Sequence, residues 1–567
     1  MDTSSEPRTF AYQPCAEQRM PLEGHGLPVS HPVAIVGAGP VGLATAIDLA
    51  QRGVPVVLLD DDCTLASGSR AICFAKRTLD ILDRLGCGEG IAAKGVSWHV
   101  GKVFFDASLV YQFDLLPESG HRRPAFVNLQ QYYLEGFLVD RAAELPGIDL
   151  RWRHRVCGVE QDQDGVWLTV ETPDSRYRLH ARYVVAADGA HSAVRALMGL
   201  ESKGRVFRDR FLIADVKMSA PFPAERWFWF NPPFNRGQSA LLHRQPDDVW
   251  RIDFQLGWDA DPDTEKQPER VMPRIRAMLG DDVDVTLEWV SVYTFCCQRM
   301  DAFRHGRVLF AGDAAHRVSP FGARGANSGV QDAENLAWKL ALVLQARAPD
   351  ALLDTYASER EAAADENIRH STRSTDFITP KSAVSRTFRD AVLRLARHNA
   401  FARQLVNSGR LSQPTVLDGS PLNTPDADSF AGAMVPGTAC ADAPVAAGTP
   451  AQAAWLLGEM GAGFTLMVFG NGQGVSLEAL AATPVPLAVL CVVPAGERCA
   501  DPTGLHAVTD TEGLAARRYD ARPGTCYLLR PDQHVCARWR RFSADAVLRA
   551  LQQALCMPTA DHDPATA

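Results

Sequence analysis

A chain of 567 residues, 46% hydrophobic and 22% charged, is too long for one core and divides into about three domains. Its formal net charge of -9 argues against a nucleic-acid partner or an anionic membrane surface, each of which favours a basic face. No apolar run reaches the roughly 20 residues that a membrane helix needs.

Residues 1–30 carry Glu, Arg, Pro and Ser without an apolar stretch, so they read as a tail and not as a secretory signal. Residues 33–37, Val-Ala-Ile-Val-Gly, are a short apolar run ending in glycine, the pattern of a buried parallel strand. A helical pattern from Val41 to about Arg52 and a second strand from Val54 to Asp60 complete a strand–helix–strand unit. Further buried strands are expected at Tyr183–Ala187 and Val308–Ala311. Between them, 205–257 and 283–297 are rich in Phe, Trp, Tyr and Val with turn signals, which reads as an inserted, mostly antiparallel sheet. Helices are expected at 328–347, 352–369 and 384–407. A Pro/Gly/Ala-rich linker at 412–450 and a small third domain follow, with strands at 463–470, 485–493 and 525–530 and a helix at 543–555. The 13 cysteines include no C-x-x-C pair and no zinc-like Cys/His spacing. Adjacent Cys296 and Cys297 read as partly buried thiols. The expectation is a cytoplasmic, reduced, metal-free protein.

Three motifs carry chemistry. Gly37-Ala-Gly39-Pro40-Val41-Gly42 follows a strand and opens a helix, the setting of a dinucleotide fingerprint. Gly37 permits the tight turn, Gly39 lets backbone N–H groups approach a pyrophosphate, and Gly42 allows close helix–strand packing. The helix N-terminus favours the phosphate charge, and Asp60 ends the next strand where a carboxylate can take ribose hydroxyls. Alone, this motif does not separate FAD from NAD. The second motif, Asp188-Gly189, is by itself a turn after a buried strand. The third runs Gly312-Asp313, then Pro320-Phe-Gly322-Ala323-Arg324-Gly325-Ala326-Asn327-Ser328-Gly329. A glycine-rich segment feeding a helix offers free N–H groups and a positive dipole end, which suits the anionic edge of a reduced flavin.

The order and spacing of these motifs resemble the group A flavoprotein monooxygenases with the para-hydroxybenzoate hydroxylase fold, over about residues 31–375. Within that group the chain looks like the 3-(3-hydroxyphenyl)propionate hydroxylase branch. The resemblance implies an α/β architecture: a Rossmann-type FAD-binding domain (31–204 and 298–375), an inserted β substrate domain (205–297), a helical segment and linker (376–440), and a thioredoxin-like C-terminal domain (441–560) without a redox dithiol. It implies that Gly37, Gly39, Pro40, Val41, Gly42 and Asp60 hold the ADP part of FAD. Arg70 and Gln131 would flank the flavin, Asp188 and Gly189 would serve FAD and NAD(P)H, and Gly312 and Asp313 would contact the FAD ribose. Pro320 would lie by the isoalloxazine, and Gly325, Ala326 and Asn327 by its pyrimidine edge. One departure is Ala323-Arg324, where many members have Gly-Gln.

The activity so implied uses FAD, NADH or NADPH, and O2 to hydroxylate a small aromatic or phenolic substrate through a C4a-hydroperoxyflavin, in a protein with no membrane or nucleic-acid partner that assembles as a homodimer by analogy. Alternatives on the same fold are an oxygenase for a polycyclic or polyketide ring, including the Baeyer–Villiger type, and an FAD oxidase or dehydrogenase. The phenolic proton needs an acceptor or orienting group. His243, Arg244 and Tyr293 of the inserted sheet are the candidates, each also explicable as structural. Trp227-Phe-Trp-Phe230 offers at most two rings to a pocket, because successive strand residues face opposite ways.

Overall fold

The computed structural model describes residues 8–19, 30–66, 68, 71–220, 222–406, 411–448, 451–481, 483–500 and 505–558. Arg70, expected beside the flavin, lies outside the described residues.

The first sheet has a parallel centre. Val308–Phe310, Arg176–Ala186, Ser30–Val36, Val56–Asp60 and Ile148–Trp152 lie side by side, and Arg304–His305, Val166–Glu171 and Arg155–Gln161 add antiparallel pairs. Val33, Ala34 and Ile35 are wholly buried, as a strand covered on both faces requires. Helix Pro40–Gln51 leaves the first strand through the glycine turn, with Pro40 in its first turn. The tail is partly docked: Phe10 stacks on Trp152 at 4.5 Å, and Glu17 pairs with Arg151 at 3.0 Å and His31 at 2.8 Å.

The second sheet has eight strands, ordered His316–Arg317, Val285–Met300, Ser202–Met218, Val249–Gln255, Ser239–Arg244, Arg226–Phe230, Val100–Phe105 and Ser108–Asp114. It therefore reaches beyond the 205–297 stretch and recruits a hairpin from before it. Its outer face, with Leu212, Leu242, Trp250, Ile252 and Phe254, packs with Val271 and Ile275 of helix Pro268–Leu279. Its inner face turns toward the first domain. A small sheet of Cys73–Ala75, Phe126–Asn128 and Val96–Trp98 lies between them.

The C-terminal part is a seven-stranded mixed sheet from Pro444 to Trp539 with helix Ala544–Ala554. The expected helix over 384–407 breaks into Ala383–Ala396 and Ala400–Val406. The stretch expected as a linker is packed down where described: Leu417 and Leu422 are buried, and Ser420 donates a hydrogen bond to Glu359.

Helix Gly325–Leu344 runs through the centre, buried from Asn327 to Ala341. An all-buried helix carrying Asp332, Glu334, Asn335 and Lys339 requires a partner for each polar group. Arg77 and Arg84 both reach Glu334 at 2.7 Å. Glu359 accepts from Lys339 at 2.7 Å and from Arg530 at 2.6 Å, and Arg530 also pairs with Asp532. Asp532 in turn accepts from Trp338 Nε1 at 3.0 Å. Burial outweighs Glu359 at Lys339 and lowers its pKa to about 8.

Removing one member of this network leaves a buried charge without its counter-charge. Arg530→Met is therefore expected to cost about 3–5 kcal/mol, read as a lower midpoint of denaturant unfolding; an unchanged midpoint would show the network to be energetically idle.

Candidate active site

The glycine turn is shaped by contact. Gly37 has φ +102°, and a Cβ there would sit 2.5 Å from the carbonyl oxygen of Ala187. A Cβ on Gly42 would run into the carbonyl oxygen of Gly37. Gly39 differs: a Cβ there meets nothing within 4 Å, and Gly39 caps helix Pro40–Gln51 with no side-chain acceptor. That is an open cradle at a helix N-terminus, suited to a phosphate. Asp60 braces the turn, accepting from the N–H of Ala38 at 2.5 Å and of Asp62 at 2.9 Å. Burial raises its pKa to about 6.

The other two motifs close around the same turn. Asp188 accepts from the N–H of Val194 at 3.0 Å, while its Oδ1 is buried without a partner; burial raises its pKa. Arg195 spans the two loops, donating to the carbonyls of Ala190 at 2.8 Å and Ala314 at 2.7 Å. Gly312, at φ +61°, and Gly329 are both seated on Val41: added Cβ atoms would lie 2.8 and 2.7 Å from its Cγ2. Asp332 fixes this junction, accepting from the N–H of Gly312 at 3.0 Å, His316 Nε2 at 2.6 Å and Arg360 Nε at 2.6 Å. Burial alone would raise its pKa, but His316 and Arg360 hold it below the usual carboxylate range.

Beyond lies the glycine-rich loop. Pro320 is exposed and opens a turn closed by the N–H of Ala323. Gly322 has φ +109° and Ala323 φ +53°, so alanine occupies the left-handed conformation at a cost of roughly 1–2 kcal/mol. Arg324 turns inward, donating to Asn367 Oδ1 at 2.8 Å, and burial lowers its pKa to about 10. The departure from Gly-Gln is thus accommodated behind the loop. Helix Gly325–Leu344 starts with no side-chain cap, leaving the N–H groups of Gly325 and Ala326 at its positive end. Asn327 faces the strand beside it, accepting from the N–H of Ala75 and donating to the carbonyl of Cys73, each at 2.8 Å. Gln131 accepts from the N–H of Ala71 at 3.1 Å, and Glu135 from that of Ala66 at 2.8 Å.

Below the loop is a cavity of about 570 Å³. Phe113, Phe228, Phe230 and Phe321 give it aromatic walls, and Lys102, Arg226 and Arg403 bring positive charge to a lining that also holds Asp114 and His370. Phe228 and Phe230 are the two rings of the Trp227–Phe230 strand that reach it, as the two-residue period requires.

Residues 30–371 match the FAD binding domain family. The chain belongs to this flavoprotein monooxygenase family. It is 33% identical over 357 residues to the 12-dehydrotetracycline 5-monooxygenase/anhydrotetracycline 6-monooxygenase of Streptomyces rimosus, covering 61% of this chain and 70% of that one. It is 31% identical over 368 residues to the 3-(3-hydroxy-phenyl)propionate/3-hydroxycinnamic acid hydroxylase of Mycolicibacterium smegmatis, covering 64% of each. The fold matches a solved structure of the flavin-dependent monooxygenase PieE with a TM-score of 0.79 and 24% identity, over 94% of this chain and 100% of that one. FAD is the cofactor of this family, and the open cradle at Gly39 and the orphaned Asp188 Oδ1 fit it. Among the described residues no helix is long and apolar enough to cross a membrane.

The three residues expected to handle the phenolic proton in this monooxygenase separate. His243 and Tyr293 share the inner face of the second sheet. Arg244 is on the outer face, paired with Asp248 at 3.1 Å and lying 5.8 Å over Trp250. Arg226 and Asp253 join the inner face without belonging to any motif.

Gly39→Ala is expected to leave the fold of the apoprotein intact and to weaken FAD binding by tenfold or more, because the added methyl stands only in the cofactor's path. Gly42→Ala should instead destabilise the apoprotein. Fluorescence titration with FAD beside apoprotein melting separates the two; equal FAD affinity for Gly39→Ala and the wild type would move the pyrophosphate elsewhere.

Proposed function

We propose that this FAD-dependent monooxygenase, driven by NADH or NADPH and consuming O2, hydroxylates a phenolic substrate of more than one ring, held in the cavity below Phe321 and Gly322. The observation that carries this reading is the cavity itself: about 570 Å³, aromatic-walled and reached by the glycine-rich loop. That volume lies within the range of drug-sized ligands, roughly 300–1,000 Å³, and exceeds what a single phenol fills.

The chain's residues divide the work. Gly37, Gly39, Pro40, Val41 and Gly42 would admit the pyrophosphate to the N–H groups at the start of helix Pro40–Gln51, and Asp60 would accept from the ribose. Asp188, Gly189, Gly312 and Asp313 would line the middle of the cofactor, with Arg195 holding their two loops in register. Gly325 and Ala326 would face the pyrimidine edge with their N–H groups, while Asn327 fixes the neighbouring strand; Pro320 would lie beside the ring system. When bound, FAD moves electrons from the nicotinamide to O2 and delivers one oxygen atom to the ring. Phe228, Phe230 and Phe321 exclude water from the aromatic substrate and orient it by stacking.

NAD(P)H oxidation by the yellow holoenzyme is expected to rise far more with a hydroxylated two- to four-ring aromatic than with phenol or a phenylpropionate, with a product one oxygen atom heavier by mass. Strong coupled turnover with single-ring phenols alone would overturn the multi-ring assignment. NAD(P)H oxidation without any oxygenated product would overturn the monooxygenase reaction itself.

A further inference from the structure

The inner face of the second sheet carries polar groups that packing does not need. In one row of the ladder, His243, Arg251, Asp215 and Trp289 are direct neighbours. In the next, Phe228, Leu241, Asp253, Ile213 and Ser291 follow. Arg226, two residues before Phe228, shares that face.

Within this set one pair is satisfied. Arg251 binds Asp215 through two hydrogen bonds of 2.7 Å. Three other groups are not: His243 Nε2, Asp253 Oδ1 and Arg226 Nη1 are buried with no hydrogen-bond partner in the protein. A buried polar atom without a partner costs about 1–3 kcal/mol, so three on one face point to a ligand that completes them. Arg226 also lines the 570 Å³ cavity, beside Phe228.

We propose that Arg226, His243 and Asp253 form the polar head of the substrate site and bind an acidic ring hydroxyl flanked by a second oxygen, as in a hydroxy-quinone or an enolised 1,3-dicarbonyl. This deepens the proposed function and rests on it. Asp253 takes the proton of the hydroxyl: the substrate O–H bond breaks, a carboxylic O–H bond forms, and both electrons of the broken bond stay on the ring oxygen. The resulting oxyanion lies against the Arg226 guanidinium and raises the electron density of the ring that is to be hydroxylated. His243 donates to the second oxygen. Its Nδ1 lies 3.6 Å from Cys73 Sγ, and burial raises the pKa of that thiol to about 11, so it stays protonated. Burial, with Arg226 and Arg251 near, holds the imidazole neutral, and the thiol at Nδ1 leaves its proton on Nε2.

Asp253 is surrounded by Arg226, Arg251, Asp215, Tyr293 and Cys73. Burial raises its pKa to about 6 against the pull of Arg251. The carboxylate is therefore ionised and able to accept above pH 6, and loses that ability as pH falls through 6.

The test uses the FAD-loaded protein and 1,8-dihydroxyanthraquinone, whose colour reports ionisation. With the wild type, the bound probe is expected to show its ionised band at pH 7.5 and to lose it as pH falls through about 6. Asp253→Asn should bind the probe within about threefold of the wild type yet show no ionised band at pH 7.5. Arg226→Met should weaken binding tenfold or more. Turnover of an accepted substrate should fall about 10²-fold in kcat for Asp253→Asn, with KM little changed and the acid limb of the pH profile gone. An Asp253→Asn protein with the wild-type band, or a wild type that does not bind the probe, overturns the inference. FAD content is measured on every sample: a folded wild type without FAD overturns the monooxygenase reading, whereas a yellow Asp253→Asn protein indistinguishable from the wild type overturns this assignment alone.

Discussion

Everything in this structure hangs on one helix that is buried along its length but must stay open at its first turn. Gly325–Leu344 carries Asp332, Glu334, Asn335 and Lys339 into the interior, and their partners come from several distant parts of the chain. Asp332 takes the Gly312 loop and Arg360; Glu334 takes Arg77 and Arg84; Asn335 and Lys339 take Glu359, which is shared with Arg530. Buried ion pairs add little net stability against a well-packed apolar alternative, because desolvation offsets the Coulomb gain. Their effect here is positional. These pairs fix the segments around the helix relative to its N-terminus, where the glycine-rich loop ends.

The same constraint explains the C-terminal part. A linker that merely tethered it would leave the Arg530–Asp532 turn in solvent. Instead that turn is wholly buried against Glu359 and Trp338, and the preceding stretch packs down with it. The C-terminal sheet thus supplies charged partners to the helix that follows the glycine-rich loop.

The nucleotide half was legible in the sequence because its determinants are local. A glycine turn, a strand end and a helix start lie within about 30 residues, as in the strand–helix–strand unit. The departure at Ala323-Arg324 was visible, but its consequence was not: whether Arg324 points at the cofactor or away depends on Asn367, a long-range partner. The hairpin Val100–Phe105 and Ser108–Asp114 was missed for a related reason, since it pairs with Arg226–Phe230 more than a hundred residues later.

The substrate half shows why alternation alone cannot assign a face its neighbour. Val249–Gln255 reads Val-Trp-Arg-Ile-Asp-Phe-Gln, with Trp250, Ile252 and Phe254 on one side and Arg251, Asp253 and Gln255 on the other. Such a pattern ordinarily marks an apolar core face and a solvated one. Here the polar side faces inward, toward Cys73 and Arg226, so burial is imposed on charges that the strand pattern assigns to water. That burial is what gives Asp253 a pKa of about 6 and leaves His243 neutral. The general lesson is about closure: an inserted sheet becomes a reactive surface when another domain covers its polar face. The residues to look for there are those whose hydrogen-bonding capacity the cover does not use.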